Sequence, residues 1–398
     1  MASSESTQDP DLHKELLDAD EAAEEIDLQN DSAAYFDKHN DSIFCIAQHP
    51  TRPSIVVTGG GDDVAYIFDA TPPAGPKLDA HGDSVNAVAF TLPHGEYVVT
   101  AGLDGQLRAY QSANTAATQW KFVASASEVE EINWVEPSPS ADHPNTIALG
   151  ANDGSVWVYT INAADAASPI TIVQAFYLHT ASCTAGAWTP DGKLLATVSE
   201  DGSLYVFDVF ASTQPVVSLT ADDKRFEVDG GLYSVACTAT MVAVGGAGGN
   251  IKVVAQTDGV ETLSFSSAPL NLLAAGSVDG SIALFDTAHR FTVRRLIKEA
   301  HEEYAVVKVA FVRSPADKTH ILTSAGMDGV VRRWDARGGT TAAGQGFINE
   351  WRGHRGEGEG GGVLGFVQGG TTSSSSGGNG TIVTAGDDGV ALVFQAAT

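Results

Sequence analysis

Basic side chains are scarce in this 398-residue chain: Lys and Arg number 22 against 50 Asp and Glu, for a formal net charge of −28. A field of that sign repels nucleic-acid phosphates and anionic lipid surfaces and attracts basic proteins, which disfavours direct nucleic-acid or membrane binding. Cysteine is almost as rare. Cys45, Cys183 and Cys237 lie far apart in apolar, strand-like contexts, so the chain carries neither a disulfide framework nor zinc spacing, and reduced core thiols in a cytoplasmic or also nuclear protein are expected. No apolar run approaches a membrane span, and the N-terminus has neither the positive stretch nor the apolar core of a secretory signal.

What is present falls into two parts. Residues 1–32 are rich in Asp, Glu, Ser and Ala and nearly free of aromatics. Such a composition cannot bury enough surface to fold alone, so an acidic disordered tail is expected, with a short helix over Leu12–Ile26 as its one structured option. Residues 33–398 are repetitive. A Gly/Asp turn followed by a short strand ending in an aromatic residue recurs from Gly61, Leu103, Asn152, Glu200, Gly248, Val278, Met327 and Asp387, the copy at Gly248 being degenerate. The turn aspartates are mostly 42 to 60 residues apart, enough for one four-stranded sheet per copy. In Ser203–Phe207 both alternating faces are apolar, as a sheet packed between two neighbours requires. The expected fold class is all-β, an eight-bladed propeller.

Three details refine that expectation. Only 31 residues separate Gly248 from Asp279, so the fifth copy is expected to have lost an outer strand or a loop near Gln256–Gly259. The last copy stops at Phe394 while Ala33–Phe36 precedes the first; pairing the two would complete the last blade with an N-terminal strand and remove an exposed edge. Gly356–Gly362 and Gly369–Gly380 read as flexible insertions.

Ser or Thr, His and Asp recur together, which superficially suggests a hydrolase. The same trio appears in copy after copy, and an enzyme needs one site, so no catalytic function is expected. The repeated trio is expected to form buried hydrogen-bond networks: His39 with Asp62, His81 with Asp104, His179 with Asp201, and His301 with Asp328 and Trp334. His354 and Asp388 repeat the pattern, and Thr58, Thr100, Thr197, Ser324 and Thr384 supply the hydroxyls. Removing one carboxylate, as in Asp201→Ala, is expected to cost about 3 kcal/mol. The string Gly245–Gly249 lacks the Lys-Ser/Thr ending of a phosphate loop and reads as a turn. No cofactor or metal is expected.

Arg333-Trp334-Asp335 and the Asp-Gly turns resemble WD repeats over nearly all of residues 33–398. More specific stretches are Tyr35-Phe36-Asp37-Lys38-His39, His49-Pro50, Thr58–Asp62, Glu128–Ile132 and Val383–Val390. Together with the acidic tail they resemble the fungal WD-repeat chaperones of large-subunit ribosomal protein ten, the counterpart of bacterial L-sixteen, whose animal relative is the angio-associated migratory cell protein; the degenerate fifth copy departs from that pattern. The resemblance implies a monomeric assembly factor of the 60S subunit, with no direct nucleic-acid contact. It would hold the basic N-terminal segment of a newly made ribosomal protein on the propeller's top face and release it without a covalent step. Aligning the copies places Phe44, Asn86, Glu130, Thr184, Tyr233, Glu261, Val307 and Leu364 at equivalent inner positions. The client-binding set expected there is Asp83, Glu130, Glu261 and Asp387, supported by Glu131, Glu200, Asp41, Phe44 and Tyr233, since carboxylates with aromatics suit Lys and Arg. Two other readings stay open at this point. Trp334-Asp335-Ala336-Arg337 fits the box of cullin-ligase substrate receptors, and the acidity would also suit a histone chaperone.

Overall fold

The computed structural model describes residues 29–396 apart from residues 71–72, 221–225, 227, 229, 239–240, 252–253, 256–259, 268, 290, 313–319, 338–345, 356–360 and 370–379. The acidic stretch over residues 1–28, including Leu12–Ile26, and most of the two Gly-rich insertions lie outside the described residues.

The short, β-rich repeats fold into eight four-stranded antiparallel sheets. We number them 1 to 8 from the N-terminus. Their innermost strands are Ile43–Gln48, Val85–Phe90, Ile132–Pro137, Cys183–Trp188, Leu232–Cys237, Val260–Phe265, Val306–Phe311 and Val363–Gln368. Each inner strand packs against that of the next sheet, and the inner strand of sheet 8 packs back on that of sheet 1. Residues on both faces of a sheet are therefore enclosed. In sheet 1, every residue of Ile55–Gly60 is buried. Stacked aromatics join neighbouring sheets, Phe176 lying 3.8 Å from Phe207 between sheets 3 and 4. Trp134 fills the same seam, where a side chain at Gly150 or Gly186 would fall 2.2 Å from its ring.

The last sheet is discontinuous in sequence. Its outer strand is Ala34–Phe36, which pairs antiparallel with Ala391–Ala396, Ala34 opposite Val393. Phe36 then stacks on Phe68 of sheet 1 at 4.1 Å. Sheet 5 corrects the expectation of a lost strand. All four strands are present, but the third and fourth shrink to Asn250–Ile251 and Val254–Ala255. The chain was shortened within the strands rather than by deleting one. Gln256–Gly259 lies outside the described residues.

The Gly245–Gly249 string contains the tight turn after Val242–Gly246, and Gly249 has a φ of +71°. All three cysteines are free. Burial pushes the thiols of Cys183 and Cys237 up to about 12, with Trp134 opposing it at Cys183, so they stay protonated as core groups. No helix among the described residues is long and apolar enough to cross a membrane.

Candidate protein-binding face

The Asp-Gly turns sit at one end of the sheets, and their geometry explains the motif. The glycine after the aspartate takes a left-handed φ, as at Gly105 (+68°) and Gly154 (+84°). It presses on the loop that enters the following sheet. A side chain at Gly105 would come within 2.0 Å of the Val129 carbonyl. Both the backbone conformation and the close approach demand glycine. Gly105→Ala is expected to destabilise the fold by about 2–3 kcal/mol and to displace the loop that carries Glu130. Urea unfolding would read that loss.

Beneath this face, five sheets hold a histidine network. His39 Nδ1 lies 2.9 Å from Asp62 and Nε2 lies 2.9 Å from the Thr58 hydroxyl. His81 repeats this with Asp104 at 3.0 Å and Thr100 at 2.8 Å, and His354 with Asp388 at 3.0 Å and Thr384 at 2.6 Å. His301 joins Asp328 and Ser324, both at 2.8 Å; Trp334 donates its indole N–H to Ser324 at 2.9 Å, and Arg332 pairs with Asp328. A neutral imidazole satisfies each site by donating through Nδ1 and accepting the hydroxyl proton at Nε2.

Sheet 4 departs from this pattern. His179 Nδ1 meets the Ser203 hydroxyl at 2.6 Å, and Ser203 in turn donates to Asp201. The expected direct contact is replaced by a relay, because Ser203 is small and buried two residues after the aspartate. Burial alone would raise the Asp201 pKa, but hydrogen bonds from Ser203 and Thr180 hold it down to about 2.

The inner positions require a correction. Every inner strand carries a β-bulge at its second residue: Phe44, Asn86, Asn133, Thr184, Tyr233, Glu261, Val307 and Leu364. In sheet 3 the equivalent residue is Asn133, not Glu130. Asn133 donates to the Ser182 hydroxyl at 2.8 Å and to the Cys183 carbonyl at 3.0 Å. Glu130 lies two residues before that strand, in the entry loop. His39, His81 and His179 stand five residues before Phe44, Asn86 and Thr184, whereas sheet 3 has no histidine there, so its inner position lacks that local anchor.

The proposed contact residues occupy three groups around the rim. Asp41 and Phe44 bracket Gly61, and the Ser42 hydroxyl donates to Asp387 at 2.6 Å, which draws sheets 1 and 8 together. Asp83, Glu130 and the half-buried Glu131 crown sheets 2 and 3. Glu200 and the Tyr233 hydroxyl both border Gly231, between sheets 4 and 5, and Glu261 is exposed on sheet 6. Phe44 and Tyr233 are 42% and 43% exposed, large values for aromatics on the innermost strands. They stand on opposite sides of the ring, so no single cluster gathers the set. Arg337, the residue of interest in the ligase box, folds back on Asp335 at 3.0 Å. Among the described residues, no group of three His, Cys, Asp or Glu side chains has the arrangement of a metal site.

The fold has clear relatives. A family model described as WD domain, G-beta repeat matches residues 31–69, 75–111 and 170–208. The human angio-associated migratory cell protein is 27% identical over 82% of this chain and 74% of its own length. Ribosome assembly protein SQT1 of Saccharomyces cerevisiae is 30% identical, covering 96% of this chain and 90% of that protein. The crystal structure of Chaetomium thermophilum Sqt1 bound to the N-terminus of the ribosomal protein L10 superposes with a TM-score of 0.85 and 51% identity, over 92% of this chain and 100% of that one. An all-β WD-repeat propeller with these relatives belongs to the Sqt1 family of ribosome assembly proteins.

Proposed function

We propose that this protein is a dedicated chaperone of 60S subunit assembly. It holds the basic N-terminal segment of newly made ribosomal protein L10 on the face that carries the Asp-Gly turns. One observation carries the reading: a structure 51% identical to this chain is bound to the N-terminus of that ribosomal protein. The net charge of −28 and the exposed rim carboxylates supply the complementary field. Binding is by charge pairing and cation–π contact, and release needs no covalent step. Each of the eight sheets acts as a blade, and strand Ala34–Phe36 closes the ring. Residues 33–398 form the propeller, which works as a monomer in the cytoplasm and also in the nucleus, and residues 1–32 form an acidic tail. The comparisons do not favour the ligase-receptor or histone readings.

Asp83 and Glu261 are exposed on sheets 2 and 6, across the ring from each other. The double variant Asp83→Lys, Glu261→Lys is expected to weaken binding of the L10 N-terminal segment at least thirtyfold at low salt, about 2 kcal/mol. The loss should shrink as salt is raised. Isothermal titration at two salt concentrations measures both. Unchanged affinity in a variant with an unaltered melting curve would remove the acidic-face mechanism.

A further inference from the structure

Sheet 3 lacks the histidine network, and its turn face is built differently. Histidines of sheets 1, 2 and 4 stand four residues before their inner strands, as His39, His81 and His179. In sheet 3 that place belongs to Glu128, and Leu149, paired with Val135, stands where those sheets carry the hydroxyl residue. The Glu128 carboxylate accepts the Tyr159 hydroxyl at 2.8 Å. Trp157 donates its indole N–H to Ser155 at 3.0 Å, and Ser155 donates to the exposed Asp153 at 2.6 Å. Among the described residues none of these carboxylates forms an ion pair, whereas Asp62, Asp104, Asp328 and Asp388 all face a histidine.

The same sheet exposes an aromatic surface. Tyr177 is 66% exposed and Leu178 beside it 39%. Both lie on the loop leading from sheet 3 to sheet 4, just before His179. The Tyr177 ring stands edge-on to Trp157, with centroids 5.7 Å apart at 84°, and Trp157 stacks alongside Tyr159 at 6.3 Å. A continuous path thus runs from the exposed Tyr177 through Trp157 and Tyr159 to Glu128. An exposed apolar ring beside unpaired carboxylates suits a side chain with a flat cationic head and an apolar stem, which is arginine.

Resting on the function proposed above, we infer that Tyr177, Trp157 and Glu128 form an outer subsite. It takes an arginine of the same basic client where that segment leaves the central ring between sheets 3 and 4. The client is held at two radii: by the rim carboxylates near the axis, and by this aromatic and acidic step farther out. A second copy of this chain is the other occupant an apolar step would attract, but the exposed carboxylates of Glu128 and Asp153 facing a chain of net charge −28 oppose it.

The test uses the full chain and the L10 N-terminal segment, with Tyr177→Ala, Tyr177→Phe and the Asp83→Lys, Glu261→Lys pair. Tyr177→Ala is expected to raise Kd about fivefold to tenfold without moving the melting curve, and Tyr177→Phe to stay within about twofold of wild type. Replacing each client arginine by alanine in turn should reveal one whose loss no longer matters once Tyr177 is alanine, a coupling a structural role would not produce. If Tyr177→Ala binds like wild type while the central double variant is defective, the outer subsite is refuted and the chaperone reading stands. If the central variant also binds normally, the parent reading fails. Concentration-dependent dimers in sedimentation that disappear in Tyr177→Ala would overturn the proposal by assigning the step to self-association.

Discussion

Replacing Asp328 with alanine will lower the free energy of unfolding by about 3–5 kcal/mol, visible as a marked drop in the urea midpoint. Asp328 is the shared acceptor of a buried imidazole and a buried guanidinium. It lies 2.8 Å from His301 and pairs with Arg332, with all three side chains almost wholly enclosed. Removing it strands one obligate donor and one permanent cation in the seam between sheets. Arg332 keeps Glu350 at 3.2 Å, but that carboxylate lies on the far side of the guanidinium, at Nε. Asp201→Ala is expected to be milder, about 1–2 kcal/mol, because Ser203 still satisfies His179 after the carboxylate is gone. This revises the larger loss that the sequence alone suggests at Asp201. Equal losses at the two positions would show that the relay through Ser203 has no energetic meaning.

Acid will act through the same networks. Burial pulls the pKa of His179 down from 6.5 to about 4, with Asp201 opposing it. Burial likewise lowers His39, His81 and His301 against the raising influence of Asp62, Asp104 and Asp328. These rings are neutral in the folded protein, so the unfolded chain binds more protons below pH 6.5. Stability is therefore complete above about pH 6.5 and is lost as pH falls toward 4. Keeping His179 neutral down to about pH 4 is worth on the order of 3 kcal/mol. Below that window the lowered carboxylates add a further loss, ending for Asp201 near pH 2. Relief of self-repulsion in so acidic a chain acts in the opposite direction. The comparison that isolates the ring is wild type against His179→Asn. The variant's stability should fall less steeply between pH 6.5 and 4, by up to about 1.4 kcal/mol per pH unit. Parallel pH profiles would show that His179 carries no proton-linked energy.

The repeats were legible because their chemistry is local. The Asp-Gly turn needs a left-handed residue pressed against a neighbour's loop, and only glycine meets both conditions at Gly105 and Gly154. The His, hydroxyl and Asp triplets were legible for a related reason, since a buried imidazole must have two partners. What escaped depends on register and on distant contacts. Asn133 was passed over for Glu130 because sheet 3 has no histidine at the place that His39, His81 and His179 take before their inner strands, so nothing local marks the register there. The Ser203 relay requires knowing which of two groups, two residues apart, reaches the ring first. The brevity of the third and fourth strands of sheet 5 was read as the loss of an outer strand or a loop, because a residue count cannot tell shortened strands from a missing one. The link from Ser42 to Asp387 joins residues 345 apart, beyond the reach of any local rule.

That last link gives the ribosome-bound life of this protein a definite order. Ser42 bonds both Asp41 and Asp387, and Ala34 pairs with Val393. While the chain is being made, every preceding sheet can form and still leave an open arc with two raw flanks. Truncation after Gly386 would delete the strand that receives Ala34–Phe36 along with Asp387. The eighth sheet and the Asp387 contact therefore form only once residues 387–396 have been made, in the same event that covers an exposed sheet edge.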